Sequence, residues 1–323
     1  MRHLITGVAG FVGSQLADVL LAAGDDVAGV DDFSLGKREH LATARQSPRF
    51  RFVEADISDT GRAVAAFREL AGETAPDIIW HLAANSDIAA GVADPSIDFT
   101  RTLSTTFATI EGAKAIGARA IAFSSTSAVY GEADKLLTED VGPLLPISSY
   151  GAAKLASEAL LSAAAESALD RIWIFRFPNV IGPRSTHGAL HDFAGRLAGR
   201  PTALRVLGDG SQTKPYLHVA ELIEAMRFIV AHAGEHRSLF NIGPQSEGTR
   251  VSFMAQAMID RMAPGTPIAY TGGDRGWVGD VPRFNYSVDK LAALGWRPKL
   301  TSDEAVARAA DDIAAGFAAE TVR

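Results

Sequence analysis

The sequence predicts an α/β protein built on a doubly wound parallel sheet with a second, smaller α/β lobe, and three observations carry that reading. Short β-rich runs (HLIT, VAGV, RFVEA, DIIWHLA, RAIAFSS and RIWIFRF) alternate with Ala-rich helical stretches, a pattern that calls for parallel strands joined by right-handed crossovers. The runs are apolar almost throughout, as strands covered on both faces are. After Arg176 the pattern loosens into PNVIGPRSTHG, RVLGDGSQTKPYLHV and TGGDRGWVGDVPRF, loops rich in Gly, Pro and charge of the kind that carry binding residues. We therefore place the sheet domain at 1–175 and the smaller lobe at 176–323, interleaved with it because SLFNIG, near 238–243, still reads as a strand. There is no internal repeat.

At 323 residues, 47% of them hydrophobic and 21% charged, the chain can bury a substantial core and has no low-complexity tract that would suggest long disorder. The net charge of −7 comes from scattered acids with no basic block, which offers no footprint for nucleic acid or an anionic membrane and favours a small ligand. The absence of cysteine excludes disulfides, thiol nucleophiles and thiolate metal sites. MRHLITGVAGF reaches glycine too early for a secretory leader and no apolar run is long enough to span a bilayer, so the expectation is a cytoplasmic protein.

The first strand runs directly into LITGVAGFVGSQLADVL, where Gly7, Gly10 and Gly13 lead into a helix. That spacing suits a tight turn, close backbone approach to a pyrophosphate, and amides at a helix N-terminus facing the anion. A glycine triplet alone could be a plain turn, but the second strand ends at Asp31, at the spacing of an acid that binds the adenosine ribose. Asp31 and Asp32 would repel a 2′-phosphate, so NAD is expected over NADP; Lys37 and Arg38, the counter-argument, lie several residues beyond the strand.

The fifth run ends in four consecutive hydroxyls, Ser124 to Ser127, at the rim of a core. In SSYGAAKLASEALL, Tyr150 and Lys154 stand four apart and so share a helix face. An ammonium beside a phenol lowers the phenol's pKa toward neutrality, which makes the tyrosine a usable general base. Tyr-x-x-x-Lys recurs by chance, but in one chain with the amino-terminal glycine turn it is specific.

With TGVAGFVG, DDFSLGKREHL, EADISD, HLAA, SSTSAVYG, YGAAK, RFPNVIGP, GDGSQTKPYLHV and LGWRPKLTSDEAV in this order, the sequence resembles the extended short-chain dehydrogenase/reductase family, and within it the NAD-dependent nucleotide-sugar epimerases and dehydratases. The resemblance implies a Rossmann sheet and an NAD site formed by Gly7, Gly10, Phe11, Val12, Gly13, Asp31 and Asp32, with Asp56 and Ile57 at the adenine. It adds Leu82, Ala83 and Ala84, which follow His81 at a strand end beside the cofactor, Phe177, and Tyr150 and Lys154 at the nicotinamide ribose. Thr126, Tyr150 and Lys154 are the implied catalytic residues, Thr126 holding the sugar hydroxyl that is oxidised while Ser124 and Ser125 only cap the strand or turn. Ser86, Thr126, Ser127, Asn179, Arg184, Lys214, Arg275 and Asp280 are the implied nucleotide-sugar contacts, with Asn179, Lys214 and Arg275 at the diphosphate and Phe284 gating bulk at C2. Three departures stand out: Lys214 occupies a position where arginine is more usual, Arg275 precedes GWVGD instead of abutting the Gly-Asp pair, and Thr102 replaces a common asparagine near the cofactor.

The residues after Thr126 bear on the reaction. Water-eliminating relatives carry an Asp-Glu pair there and decarboxylating relatives keep the Glu, whereas Ser127 and Ala128 resemble the 4-epimerases. The resemblance thus implies a UDP-hexose 4-epimerase, of the UDP-glucose/UDP-galactose or UDP-glucuronate type. A dehydratase, decarboxylase or dehydrogenase on the same scaffold is the alternative, and a catalytically idle NAD sensor is a further one that intact Thr126, Tyr150 and Lys154 argue against. His187 and His191 have the spacing of two helical metal ligands but no third ligand nearby, so no metal is expected. The terminal SDEAVARAADDIAAGFAAE has the apolar spacing of a packing helix. A homodimer is implied by resemblance; the small-residue helix AAKLASEALLSAAA suits a dimer contact or a buried intrachain helix equally.

Overall fold

The computed structural model describes residues 1–132, 136–246, 248–273 and 286–321. Its main sheet takes β1 (Arg2–Thr6), β2 (Asp26–Asp31), β3 (Phe50–Glu54), β4 (Ile78–His81), β5 (Ala120–Ser124) and β6 (Arg171–Arg176) from the first half, and Arg237–Asn241 from the SLFNIG run. The order across the sheet is Arg237–Asn241, β6, β5, β4, β1, β2, β3, and every pairing from β6 to β3 is parallel. Continuous burial holds for the central strands, but β3 alternates between half-buried and exposed residues because it is an edge strand. Strand order reverses between β1 and β4, so the loops leaving their carboxyl ends part to opposite faces; this is where open α/β sheets take ligands.

The flanking helices are α1 (Phe11–Ala22), α2 (Thr60–Ala71), α3 (Ile88–Ala93), α4 (Pro95–Asp98), α5 (Thr105–Ile116) and α6 (Ser149–Ala165). Asp59 caps α2 by accepting from the Arg62 amide, and Ser148 caps α6 by accepting from that of Gly151, so the sequence fixes both starts locally. Leu4, Val30, Ile79, Ile121 and Phe123 of the sheet pack on Phe67 and Leu70 of α2 and on Ile110 and Ala113 of α5. Phe67 presses so close to α5 that a Cβ on Gly112 would lie 2.6 Å from its ring. Between α4 and α5 the backbone widens into a π-helical segment, Phe99–Ser104, a form often found beside functional sites.

The chain forms two compact units, one of Met1–Gly131, Glu139–Arg176 and Met226–Phe240, the other of Glu132–Thr138, Phe177–Ala225 and Asn241–Arg323. The second unit has its own core, in which Leu190 and Phe193, Met254 and Met258, and Val306 and Ile313 come from the helices Ala189–Ala198, Val251–Met262 and Ser302–Thr321. The terminal helix buries Ala305, Val306, Ala309, Ala310 and Ile313, so its apolar spacing serves packing. Among the described residues no helix is long and apolar enough to cross a membrane.

The turn after β1 is a close backbone junction. A Cβ on Gly13 would run into the Gly7 carbonyl oxygen and lie 3.0 Å from Val8 Cα. Gly13→Ala is therefore expected to lower unfolding free energy by about 1–3 kcal/mol, the usual range for overpacking, as read from a denaturant midpoint. An unchanged midpoint would contradict this account of the turn.

Candidate active site

Gly7 stands at φ +70°, where a side chain is strained, and a Cβ there would press on the Ala83 nitrogen at 2.8 Å. Its amide and that of Val8 donate to the Val30 carbonyl, at 2.9 and 3.3 Å, and the Gly10 amide returns to the Gly7 carbonyl at 3.1 Å. The first turn of α1, with Phe11 and Val12, is thereby set against the ends of β1 and β2. Asp31 braces the same turn: Oδ2 accepts from the Ala9 amide at 2.9 Å and Oδ1 from Phe33 at 2.8 Å. Burial pushes the Asp31 carboxyl above its usual range, those amides opposing it. Asp32 is exposed and accepts from the Ser34 amide at 2.9 Å. Arg38, one of the two cations that could have favoured a 2′-phosphate, is engaged by Glu54 at 2.7 and 2.8 Å and lies over the Phe33 ring.

Beyond β3, Asp56 accepts from the Ser58 amide at 2.9 Å, while the Ile57 side chain lies inside the sheet core and leaves only its backbone for a ligand. At the end of β4, His81 is wholly interior, stacked on Phe123 and hydrogen-bonded to Thr6 at 2.8 Å and Thr106 at 2.9 Å. The Thr6 oxygen also accepts from the Leu82 and Ala83 amides, both at 3.2 Å, so its proton goes to His81 Nδ1 and the ring carries its own on Nε2. Burial, with the Lys154 charge adding, pushes His81 down to about 3, and the ring stays neutral. His81 is thus a post that fixes Leu82 and Ala83 rather than a group turned to a ligand.

The loop that follows contains half-buried Ala84, buried Asn85 and exposed Ser86. Asn85 is its anchor, its amide donating to Thr102 Oγ1 at 3.1 Å and its Nδ2 to Asp98 Oδ1 at 2.8 Å and to the Asp87 carbonyl at 2.9 Å. Thr102, where an asparagine is common, serves here by taking the Asn85 amide, and its carbonyl accepts from the hydroxyls of Thr105 and Thr106, each at 2.9 Å.

The hydroxyl run after β5 has divided duties. Ser124 donates to the His81 carbonyl at 3.3 Å, Ser125 donates to Glu158, and Thr126 caps the short 3₁₀ turn Ser127–Tyr130 by accepting from the Ala128 amide at 3.1 Å. The Thr126 hydroxyl also stands beside the Tyr150 phenol and favours its ionised form. One turn further along α6, Lys154 donates to the Ser124 carbonyl at 2.6 Å, with its ammonium 4.7 Å from the Phe123 ring centre and 5.9 Å from that of Tyr150. Thr126, Tyr150 and Lys154, expected together, are together.

The expected effect of the ammonium on the phenol is not what these protein groups give. Burial pushes Tyr150 up to about 12, the Thr126 hydrogen bond working against it and the Asp98 charge with it. Burial pushes Lys154 down to about 7, opposed by Glu158 and then Asp98. For both groups desolvation is the largest cause, and the ammonium's hydrogen bond goes to the Ser124 carbonyl.

The next turn of α6 carries a residue that sequence reasoning missed. Glu158 takes both Nε and Nη2 of Arg176, at 2.9 and 2.6 Å, in a buried pair, and Arg176 lies over the Tyr130 ring. Its spacing from Lys154, a further four residues on the same face, was the available signal.

In the second unit, half-buried Phe177 precedes the strand Asn179–Ile181, whose Asn179 pairs in register with Tyr216. Lys214 lies in a two-residue strand antiparallel to Thr249–Arg250. Arg184 has φ +65°, an uncommon backbone for a long side chain. Arg275, Asp280 and Phe284 lie outside the described residues. His187 precedes the helix Ala189–Ala198 while His191 is in its first turn with its ring against Phe317, so the two do not share a helix face. Among the described residues no three His, Cys, Asp or Glu side chains converge as metal ligands do.

The glycine turn is a cradle that a Cβ would fill, it opens on the first amides of α1, and two carboxylates stand at the end of β2; that donor set fits NAD. Residues 3–243 match the family model described as the NAD dependent epimerase/dehydratase family. The chain is 34% identical over 317 residues to the UDP-glucose 4-epimerase of Mycolicibacterium smegmatis, covering 95% of this chain and 97% of the relative. It is 27% identical to UDP-glucuronic acid decarboxylase 1 of Arabidopsis thaliana, covering 97% of this chain and 69% of that one. The crystal structure of a UDP-glucose 4-epimerase from Thermus thermophilus in complex with NAD matches with a TM-score of 0.84 at 29% identity, covering 97% of this chain and 99% of that one. A family model spanning most of the chain and a relative matching nearly all of it place this protein in the NAD-dependent epimerase/dehydratase family.

Proposed function

We propose that this protein is an NAD-dependent nucleotide-sugar 4-epimerase that interconverts UDP-hexoses by transient oxidation at C4. The observation that carries the reading is Thr126 beside the Tyr150 phenol, followed by Ser127 and Ala128 with no carboxylate. Elimination of water would require one group to take the C5 proton and another to protonate the leaving hydroxyl, and neither a serine nor an alanine supplies such an acid-base pair.

Gly7, Gly10 and Gly13 with the first amides of α1, Asp31, Asp32 and Asp56, the segment Leu82–Ala84, and Phe177, Tyr150 and Lys154 are assigned to NAD. NAD held by these residues would supply a reversible hydride acceptor for C4. Thr126 positions the 4-hydroxyl and Tyr150 removes its proton, then returns it after the sugar has turned. Lys154 is assigned to the phenol's ionisation on general grounds: a charged ammonium on the same helix face favours the phenolate. Ser86 and Ser127 are assigned to the sugar, and the polar or charged side chains of Asn179, Arg184, Lys214, Arg275 and Asp280 to the rest of the UDP-sugar.

We also assign the active form as a cytoplasmic homodimer. Phe99 is 62% exposed and Phe107 48%, with half-buried Leu103 midway between them, an apolar stripe on the helices flanking Tyr150 that a second copy would cover.

Three outcomes are expected. Nucleotide released by denaturing the purified protein will be NAD; NADP as the main species would contradict the assignment of Asp31 and Asp32. Tyr150→Phe will keep the fold and lose activity by ~10²–10⁴-fold or more, with Thr126→Ala milder because the base remains; near-normal turnover by Tyr150→Phe would show the base to be elsewhere. Incubated separately with UDP-glucose, UDP-N-acetylglucosamine and UDP-glucuronic acid, the protein will give, in at least one case, a product of unchanged mass whose H4 proton coupling is inverted. Loss of water or carbon dioxide as the main outcome with every active substrate would replace the epimerase reading with a dehydratase or decarboxylase.

A further inference from the structure

Two buried carboxylates, Glu158 and Asp98, act on the Lys154 ammonium, and they are not equivalent. Glu158 is matched by the Arg176 guanidinium through two hydrogen bonds and also accepts from Ser125, so its charge is largely spent on that pair. Asp98, 1% exposed at the end of α4, is in no ion pair among the described residues. Its Oδ1 accepts from Asn85, while its Oδ2 is buried and accepts no hydrogen bond. That oxygen sits against Gly91, where a Cβ would collide with it, so the absence of a side chain on α3 makes room for the carboxylate. Both α3 and α4 pack on α6, the helix that carries Tyr150 and Lys154.

We propose that Asp98 is the counter-charge of the catalytic lysine: a positioning residue whose carboxylate holds Lys154 in its ammonium form and so sets when Tyr150 can act as a base. The proposal rests on the reading of Tyr150 and Lys154 as the proton-transfer pair. A buried ammonium with only a carbonyl and a ring face for company would shed its proton, and Asp98 is the buried negative charge not already claimed by a guanidinium. The other groups facing Lys154 fit this division: Tyr150 and Glu158 share its helix, neutral His81 lies on β4, and Arg176 on β6 is hydrogen-bonded to Glu158. Asp98 raises both Lys154 and Tyr150, so removing its charge must lower both midpoints.

The test is to follow the ε-carbon NMR shift of Lys154 against pH in the NAD-bound protein with labelled lysine, assigning the resonance by its loss in Lys154→Met. Asp98→Asn is expected to lower the Lys154 midpoint by roughly one pH unit, the low end of what a neighbouring charge does, and to move the alkaline limb of the epimerase pH profile the same way. Thr102→Val, which cuts the hydrogen bond to Asn85 in the same loop without changing charge, should leave the midpoint in place. An unchanged midpoint in Asp98→Asn, or an equal shift in Thr102→Val, overturns the proposal. If Asp98→Asn does not fold, Asp98→Ala gives the same reading; if neither folds while Thr102→Val does, Asp98 is structural and the proposal falls. Because the NMR titration needs no turnover, a protein that epimerises no sugar would refute the functional reading and still decide this one.

Discussion

Burying one ammonium is the constraint around which the carboxyl end of this sheet is arranged. Lys154 is 2% exposed, and an isolated charge there would cost several kcal/mol after relaxation. The surroundings answer that cost piece by piece: the Ser124 carbonyl at the end of β5, the face of Phe123 from the same strand, and the carboxylates of Glu158 and Asp98. Glu158 in turn has to be held, which brings in Arg176 from the end of β6 and Ser125 from the loop after β5. The adjacent strands β5 and β6 are parallel and in register, so their ends arrive level, and that brings Phe123, Ser124, Ser125 and Arg176 beside one helix.

The other half of the site depends on a close backbone junction rather than on charge. Gly7, Gly13 and Asp31 draw the turn after β1 down onto the end of β2, and Thr6 and His81 fix the start of the loop after β4. His81 does this as a neutral ring between two hydroxyls, which keeps a second cation away from Lys154. The glycine turn and the Thr126, Tyr150 and Lys154 cluster are therefore anchored on neighbouring strands, the turn on β1 and β4 and the cluster on the end of β5, where the Ser124 carbonyl takes the Lys154 ammonium of α6.

The parts of the molecule that depend on short sequence spacing were legible in advance. Strand alternation located the sheet, the glycine triplet located the turn, and the four-residue spacing of Tyr150 and Lys154 put them on one face of α6. What escaped sequence reasoning depends on contacts between distant segments. Nothing near Asp98 in the sequence says that Gly91 makes room for it or that Lys154, on another helix, feels its charge. His81 read as a strand-end residue beside the cofactor, but only the positions of Thr6 and Thr106 show its ring to be interior, and Ile57 likewise turned its side chain into the core. Spacing reveals which groups are neighbours and not how far both are removed from water, so the burial that pushes the Tyr150 phenol up and the Lys154 ammonium down was not legible in it.

Every residue assigned to the chemistry serves one claim, that hydrogen leaves C4 of the sugar as a hydride and comes back to the same carbon without meeting solvent. A substrate carrying deuterium at C4 tests this directly, followed by NMR through to the epimerised product. The account predicts that the deuterium remains at C4 after inversion and that no solvent hydrogen enters there. Loss of the label to water, or uptake of solvent deuterium at C4 in the reverse experiment, would contradict it.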